Sequence, residues 1–102
     1  MQLDTESAVI EYTRGARHIY REIAGEHLLI DLRSRSEVPF FALTASGVRL
    51  WEALAAWMTV DALVDGLRGI YEVSAEEADR DVREFLAQLA SIDALTDRER
   101  SE

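Results

Sequence analysis

The hydrophobic pattern of this 102-residue chain changes its period once, between Leu43 and Thr44. Before this point, apolar residues occur in short runs and alternations that are typical of β-strands. After it, they recur at three- and four-residue spacing, which is typical of α-helices with one buried face. A chain of this length holds a single core. The pattern therefore predicts one α+β domain, in which an antiparallel sheet is followed by a small helical unit.

Three strands are predicted in the first half. Runs at 19–23 and 27–32 lie on either side of Gly25-Glu26, as two strands around a tight turn would. A third run, 38–43, is too short for a helix and rich enough in aromatic residues for a strand. Because Pro39 has no backbone N–H for a ladder, it belongs near a strand start or on an edge. We therefore expect the third strand to lie at the border of the sheet.

Three helices are predicted in the second half, each with its own cap. Thr44 can cap the first helix and Thr59 the second. Gly66 and Gly69 weaken the second helix, so we expect it to be short. The sequence at 74–77, Ser-Ala-Glu-Glu, is a capping box that opens the third helix. The expected core stripes are Val48, Trp51, Leu54, Ala55 and Met58, then Val60, Leu63, Val64, Leu67 and Ile70, then Ala78, Val82, Phe85, Leu86, Leu89, Ile92 and Leu95.

The two ends of the chain fall outside this pattern. Residues 1–17 are expected to form an arm or an irregular first strand, 18–95 the domain, and 96–102 a solvated tail. No signal-peptide pattern and no membrane-length apolar run occurs, so we expect a soluble, cytoplasmic protein. Trp51 lies on a core stripe and should be buried, whereas Trp57 lies off it and should be partly exposed.

The charge of the chain constrains its partners. Eleven arginines and no lysine face twenty carboxylates, which gives a net charge of -9, and -8 of this falls in residues 52–102. Since phosphate backbones bind mainly through neutralisation by basic residues, this balance disfavours DNA and RNA. It favours a basic protein or peptide. The absence of cysteine excludes disulfides and thiolate metal sites.

No catalytic pattern is found. A metal site shared by His18 and His27 across the hairpin is conceivable, but surface histidines explain the same facts, and no known ligand spacing surrounds them. The acids of the third helix are expected on a solvated face. These acids are Glu76, Glu77, Asp79, Asp81 and Glu84. We expect no enzyme activity, no metal and no cofactor.

A series of short motifs runs in order from Ile19 to Leu95. The motifs are Gly25-Glu26-His27-Leu28-Leu29-Ile30, Phe41-Ala42-Leu43-Thr44-x-x-Gly47-x-x-x-Trp51-Glu52, Thr59-Val60, Ile70-Tyr71-Glu72-Val73-Ser74 and Asp81-Val82-x-x-Phe85-Leu86-x-x-Leu89. In this order and spacing they resemble the PqqD-like family. The family usually has Leu-Asn before the first helix, where this chain has Leu43-Thr44, and both Asn and Thr can cap a helix.

The resemblance implies a winged-helix-like fold of a three-stranded sheet with three helices, and a non-catalytic peptide chaperone. Members of the family bind the leader segment of a ribosomally synthesised, post-translationally modified precursor peptide. They present the precursor to a modifying enzyme, commonly a radical S-adenosylmethionine enzyme or, in lasso-peptide biosynthesis, a leader protease. The leader adds a strand beside the third strand, in a groove walled by the third helix.

This mode of binding gives candidate residues. A border strand carries unpaired N–H and C=O groups, so 38–43 is the candidate for strand addition. On the third helix, the flank with two alanines leaves room for a guest side chain, and the opposite flank, with Asp81 and Gln88, is the other possibility. The expected peptide-binding residues are Val38, Phe40, Phe41, Ala42, Asp79, Arg83, Ala87 and Ala90. In the alternative interpretation, Phe40 and Phe41 are merely one core and one surface residue of a strand.

Two other functions fit the same elements. A winged-helix DNA-binding module has similar strands and helices, but residues 75–92 would meet phosphates with a net charge of -3. A scaffold that only dimerises could pair its free strand edge with its own copy. The chain is therefore expected to be a monomer or a homodimer, with no nucleic-acid or membrane partner.

Overall fold

The computed structural model of the protein describes residues 8–33 and 40–101. They form a three-stranded antiparallel sheet followed by three helices, and a separate two-stranded ribbon. The elements are β1 (Ala8–Arg14), β2 (His18–Ile23), β3 (Glu26–Asp31), β4 (Phe40–Leu43), α1 (Ala45–Ala53), α2 (Val60–Ile70), α3 (Ala75–Ser91) and β5 (Leu95–Ser101). The predicted α+β fold is confirmed, and the strand predicted as the third of the sheet is β4.

The hairpin of β2 and β3 has a two-residue turn. Ala24 and Gly25 both have positive φ, 54° and 83°, as type I′ turns require. The turn therefore lies one residue earlier than the sequence suggested. Ile23 pairs with Glu26 directly after the turn, and the ladder continues to the start of β2.

β4 lies at a border of the sheet, whose strand order is β2-β3-β4. It pairs antiparallel with β3, so that Phe41 lies opposite Leu29 and Leu43 opposite His27. Within the described part of the chain, no strand pairs with the other edge of β4. The prediction of a border strand is confirmed, while Pro39 itself lies outside the described residues.

All three predicted caps are present. The hydroxyls of Thr44, Thr59 and Ser74 each accept a hydrogen bond from the backbone N–H three residues further on. The capping box is complete, because the Ser74 N–H donates to Glu77 Oε1 at 3.2 Å. These bonds satisfy N–H groups that have no partner within the first turn of a helix.

α1 is shorter than its apolar stripe suggested. It ends at Ala53, so Ala55 and Met58 lie beyond it. Met58 instead exchanges two backbone hydrogen bonds with Tyr12 of β1, at 2.7 and 2.8 Å. Met58 continues the apolar spacing beyond the end of α1 because it packs against the core from the following loop.

α2 is longer than expected. It runs to Ile70 despite Gly66 and Gly69, both of which lie on its exposed side. Its opposite side is buried in the core through Leu63, Val64 and Leu67. This burial outweighs the weak helix propensity of two glycines, which is about 1 kcal/mol each.

The two ends of the described chain form the ribbon. β1 and β5 pair antiparallel, and Gly15 after β1 donates a backbone hydrogen bond to Ala94 before β5, at 3.0 Å. The segment expected as a solvated tail is exposed at 96–100 but forms a regular strand up to Ser101, and the expected arm contains a regular strand at 8–14. Charges contribute to the ribbon, since the buried carboxylate of Glu11 accepts a hydrogen bond from Arg98 at 2.8 Å and lies 3.4 Å from Arg100.

The core lies between the inner face of the three-stranded sheet and the helices. Its largest fully buried side chains are Leu29, Leu54, Leu63, Leu89 and Val82. Trp51 is buried as predicted, with 3% of its surface exposed. Trp57 is partly exposed as predicted, and the Arg98 guanidinium lies 4.1 Å from the centre of its ring.

An ion pair ties the sheet to the end of α3. Arg17 donates to both carboxylate oxygens of Asp31 at 2.8 Å, and to Asp93 beyond α3 at 3.2 Å. The Arg17 guanidinium lowers the pKa of Asp31 to about 2. His18, expected at the surface, is instead 6% exposed, because it lies on the same face of the sheet as Leu29. This burial lowers its pKa.

Leu89→Ala tests the core. The side chain is fully buried, so its truncation should lower the free energy of unfolding by about 2–5 kcal/mol in urea denaturation. Ile70→Ala is the matched control, because Ile70 is 52% exposed, and it should cost less than about 1 kcal/mol. Equal losses in both variants would contradict the described core.

Asp31→Asn tests the ion pair through its pH dependence. The pKa of Asp31 in the folded protein, about 2, lies below the ordinary value near 3.9, so the unfolded state binds more protons between the two values. The stabilisation from this carboxylate is complete above the ordinary pKa and is lost as the pH falls through about 2. Urea midpoints of wild type and Asp31→Asn should differ at pH 7 and converge near pH 2. The control is Asp65→Asn, at an exposed position of α2. Its midpoint difference from wild type should not change in this way with pH.

Candidate functional site

Successive residues of β3 form backbone hydrogen bonds alternately with β2 and with β4. In a two-residue hairpin, the residues next to the turn, here Ile23 and Glu26, are joined by backbone hydrogen bonds. Bonded and non-bonded pairs alternate along an antiparallel ladder, so Leu28 also bonds to β2. His27 and Leu29 therefore turn their backbone groups toward β4.

This alternation determines which groups of β4 are free. Leu43 and Phe41 lie opposite His27 and Leu29, so their backbone groups bond to β3. Phe40 and Ala42 then point their N–H and C=O groups away from the sheet. Within the described chain, neither residue has a backbone partner on that side. The free edge thus offers two donors and two acceptors to an extended chain.

The side chains of β4 alternate between the two faces of the sheet. Leu43 is buried and Phe41 packs against the core, whereas Phe40 is 48% exposed and Ala42 is exposed. The alternative interpretation of Phe40 and Phe41 as one surface and one core residue therefore describes their side chains. The edge itself is formed by backbone, and Val38, also expected in the site, lies outside the described residues.

A cleft of about 250 Å³ lies between the start of α1 and the middle of α3. We call it the α1–α3 cleft. Its lining residues are Thr44, Ser46, Gly47, Leu50, Asp81, Glu84, Phe85 and Gln88. Because Thr44 directly follows β4, the cleft begins where the free edge ends.

Gly47 brings α1, α3 and β4 together. A Cβ atom at this position would lie 3.2 Å from Phe85 Cε1 and 3.6 Å from Leu43 Cβ, so only glycine allows Phe85 to approach this closely without a shift. Phe85 thereby lies next to the inner face of the edge strand. The flank of α3 beside β4 is consequently the one that carries Asp81 and Gln88.

The other flank of α3 faces the ribbon. Arg83, Ala87 and Ala90 line a second cleft of about 280 Å³, together with Tyr12, Val60, Leu86, Leu95 and Asp97. Asp79 accepts a hydrogen bond from Arg83 Nε at 3.0 Å, which raises the pKa of Arg83. The structure therefore does not bring these four predicted residues beside Phe40, Phe41 and Ala42.

The rim of the α1–α3 cleft is acidic. Asp81 lies 3.9 Å from Arg80 in an exposed pair, and Glu84 takes part in no ion pair within residues 8–33 and 40–101. The wall formed by α1 contributes hydroxyl groups and apolar side chains but no base. The residues that line the cleft thus include two carboxylates and no base, and the start of α1 adds a partial positive charge.

The two histidines lie apart. His18 pairs with Asp31 and His27 with Glu22, which separates them by about 14 Å along the hairpin and excludes a shared metal ion. The Tyr20 hydroxyl and His27 Nδ1 share a hydrogen bond of 2.6 Å, and burial raises the pKa of Tyr20. In the described ranges, no three His, Asp or Glu side chains gather as a metal site would require, and no helix has the length and apolar character to cross a bilayer.

Sequence reasoning misses several cleft residues. It assigns Glu84 only to a solvated face, Phe85 only to the core, and Gly47 only to a motif. A signal is present, because Glu84, Phe85 and Gln88 recur at helical spacing on one margin of the core stripe. The orientation of that margin depends on the packing of Gly47 against Phe85, which the sequence does not show.

The fold and site define an α+β domain with an open strand edge beside a helix-lined cleft, a form suited to an extended peptide. The family model of Coenzyme PQQ synthesis protein D (PqqD) matches residues 26–95. The chain belongs to this family. A comparison with curated proteins gave no match.

Three solved structures are similar to the chain. TbiB1 in complex with the TbiA(beta) leader peptide is 28% identical, covers 81% of this chain and 93% of that one, and has a TM-score of 0.68. A lasso peptide synthetase B1 complexed with the leader peptide is 16% identical, with coverages of 83% and 96% and a TM-score of 0.69. The PqqD truncation of Methylobacterium extorquens PqqCD is a stand-alone recognition element for ribosomally synthesised and post-translationally modified peptides. It is 21% identical, with coverages of 94% and 95% and a TM-score of 0.60. The last two establish similarity of fold.

Proposed function

We propose that this protein binds the leader segment of a ribosomally synthesised precursor peptide and presents the peptide to a modifying enzyme. The observation that carries this proposal is the uncharged edge of β4 next to the α1–α3 cleft, an edge that no other described strand pairs with. TbiB1, which is 28% identical over most of both chains, is complexed with a leader peptide, and this supports the same class of ligand here.

The leader would bind as a fourth strand. Its backbone would exchange hydrogen bonds with Phe40 and Ala42, and alternate side chains would point to the inner face, beside Phe41 and Leu43. Val38, outside the described residues, is proposed as a further leader-binding residue. Because the α1–α3 cleft adjoins the edge, the proposal places the leader on the flank of α3 that carries Asp81 and Gln88. The flank with Arg83, Ala87 and Ala90 is the competing location.

The role proposed is recognition without catalysis. The chemical step would belong to a partner enzyme, either a radical S-adenosylmethionine enzyme or a leader protease. A disordered leader loses about 2–5 kcal/mol on ordering, so a short added strand gives an affinity nearer micromolar than picomolar, which suits transfer to that enzyme. The proposed location is the cytoplasm, where ribosomes synthesise such precursors.

DNA binding is disfavoured by charge. In a winged-helix DNA-binding module, a recognition helix enters the major groove between phosphate strands. Here α3 carries five acids against Arg80 and Arg83. Such a helix would be repelled by the phosphates that supply most non-specific affinity.

Ala42→Pro tests strand addition. Proline removes the outward N–H of Ala42 and places its ring at the edge, where the fold tolerates it. Calorimetry with the leader of a precursor encoded beside this gene should show a loss of affinity of about tenfold or more. Ala42→Thr keeps the N–H and serves as the matched control, with affinity near that of wild type. If both variants bound like wild type, β4 would not be the docking edge.

Gln88→Trp and Ala87→Trp form a matched pair that tests the flank. Each places a large side chain at an exposed position of α3, the first in the α1–α3 cleft and the second in the cleft beside the ribbon. We expect Gln88→Trp to weaken leader binding about tenfold and Ala87→Trp to leave it unchanged. The reverse result would assign the leader to the flank with Arg83 and Ala90.

A further inference from the structure

The α1–α3 cleft has a definite chemical character. Its floor is apolar, formed by Phe85, Leu50 and Gly47, all of which are buried. Its rim on α3 carries two exposed carboxylates, Asp81 and Glu84. A side chain that fills such a cleft needs an apolar stem and a positively charged end.

The neighbouring surface extends the same pattern. A third cleft, of about 350 Å³, shares Thr44, Ser46 and Asp81 with the α1–α3 cleft and is lined further on by Leu67, Tyr71 and Val73. Asp81 therefore lies between two clefts that are both lined by apolar side chains. An apolar side chain alone would leave its carboxylate without a partner beyond the exposed, 3.9 Å contact with Arg80.

The position of the cleft links it to the bound strand. A residue paired with Leu43 across the edge would share the inner face with Leu43, since directly opposite residues of a ladder point to one side. That face meets the cleft at Phe85, next to Gly47. The leader residue opposite Leu43 is therefore within reach of the cleft with a long side chain.

We propose, on the basis of the proposed function, that the leader carries an arginine or lysine whose stem lies on Phe85 and whose charged end pairs with Asp81 and Glu84. Arg and Lys are the side chains that cover apolar surface with their methylene groups while their charge stays at the rim. This residue makes the cleft selective for precursors with a basic position at a fixed distance from the strand-forming segment.

The test works with a leader of any sequence, because the peptides are selected by the protein itself. The full chain is used to select from a phage-displayed library of random peptides long enough to span the edge and the cleft. Selections run in parallel on wild type, on the double variant Asp81→Asn/Glu84→Gln, and on Asp65→Asn/Glu76→Gln. The last is a matched control that removes the same two charges from exposed positions away from the cleft.

Wild type and the control should both enrich peptides with a basic residue at one fixed position, and the cleft variant should not. In calorimetry, replacing that residue by Gln should weaken a selected peptide about tenfold on wild type and not on the cleft variant. The difference should shrink as salt is raised. An absence of basic enrichment, or an equal loss on both proteins, would overturn the inference.

The same peptides separate this inference from the proposed function. Ala42→Pro should weaken every selected peptide, with or without its basic residue, if strand addition holds. Peptides that depend on Ala42 but show no basic preference would leave the proposed function intact and contradict only the inference. Peptides that bind Ala42→Pro as well as wild type would contradict both, because the cleft would then not adjoin the docking edge.

Discussion

A strand carries backbone donors and acceptors on both sides, and the described fold supplies a partner to only one side of β4. Because N–H and C=O groups removed from water must be paired, the outward groups of Phe40 and Ala42 need either solvent or a second chain. Within the described residues, no strand pairs with this edge. α1 begins directly after Thr44, and Gly47 of α1 lies close to Phe85 of α3.

The described fold contains other open edges, and comparison with that of β5 shows what makes β4 suitable for docking. Among the described strands, β5 pairs only with β1, yet its central residues, Asp97 to Arg100, are all charged. Charged side chains oppose edge-to-edge pairing because a partner strand must desolvate them or match them. β4 contains only Phe, Ala and Leu. The chain thus protects the edge of β5 with charge and leaves the edge of β4 free of it.

Much of the fold could be predicted because its signals are local. The change of period at Leu43, the caps at Thr44, Thr59 and Ser74, and the border position of β4 each depend on a few neighbouring residues. β5 could not be predicted, since its alternating charges show no hydrophobic period and its partner lies at the other end of the chain. Which flank of α3 lies beside β4 could also not be predicted, because a core stripe shows which face of a helix is buried but not which elements lie on either side of that face.

The size of the free edge limits what strand addition alone can achieve. Two donors and two acceptors, at about 0.5–1.5 kcal/mol net for each hydrogen bond, offset little more than the 2–5 kcal/mol lost when a disordered peptide becomes ordered. These bonds also involve only backbone, so they accept any sequence. Both the surplus affinity and the selectivity must therefore come from side-chain contacts, and in the proposed mode the α1–α3 cleft contributes to them. Phe85 supplies its apolar contact and Glu84 its charge, and neither residue belongs to the strand that receives the peptide.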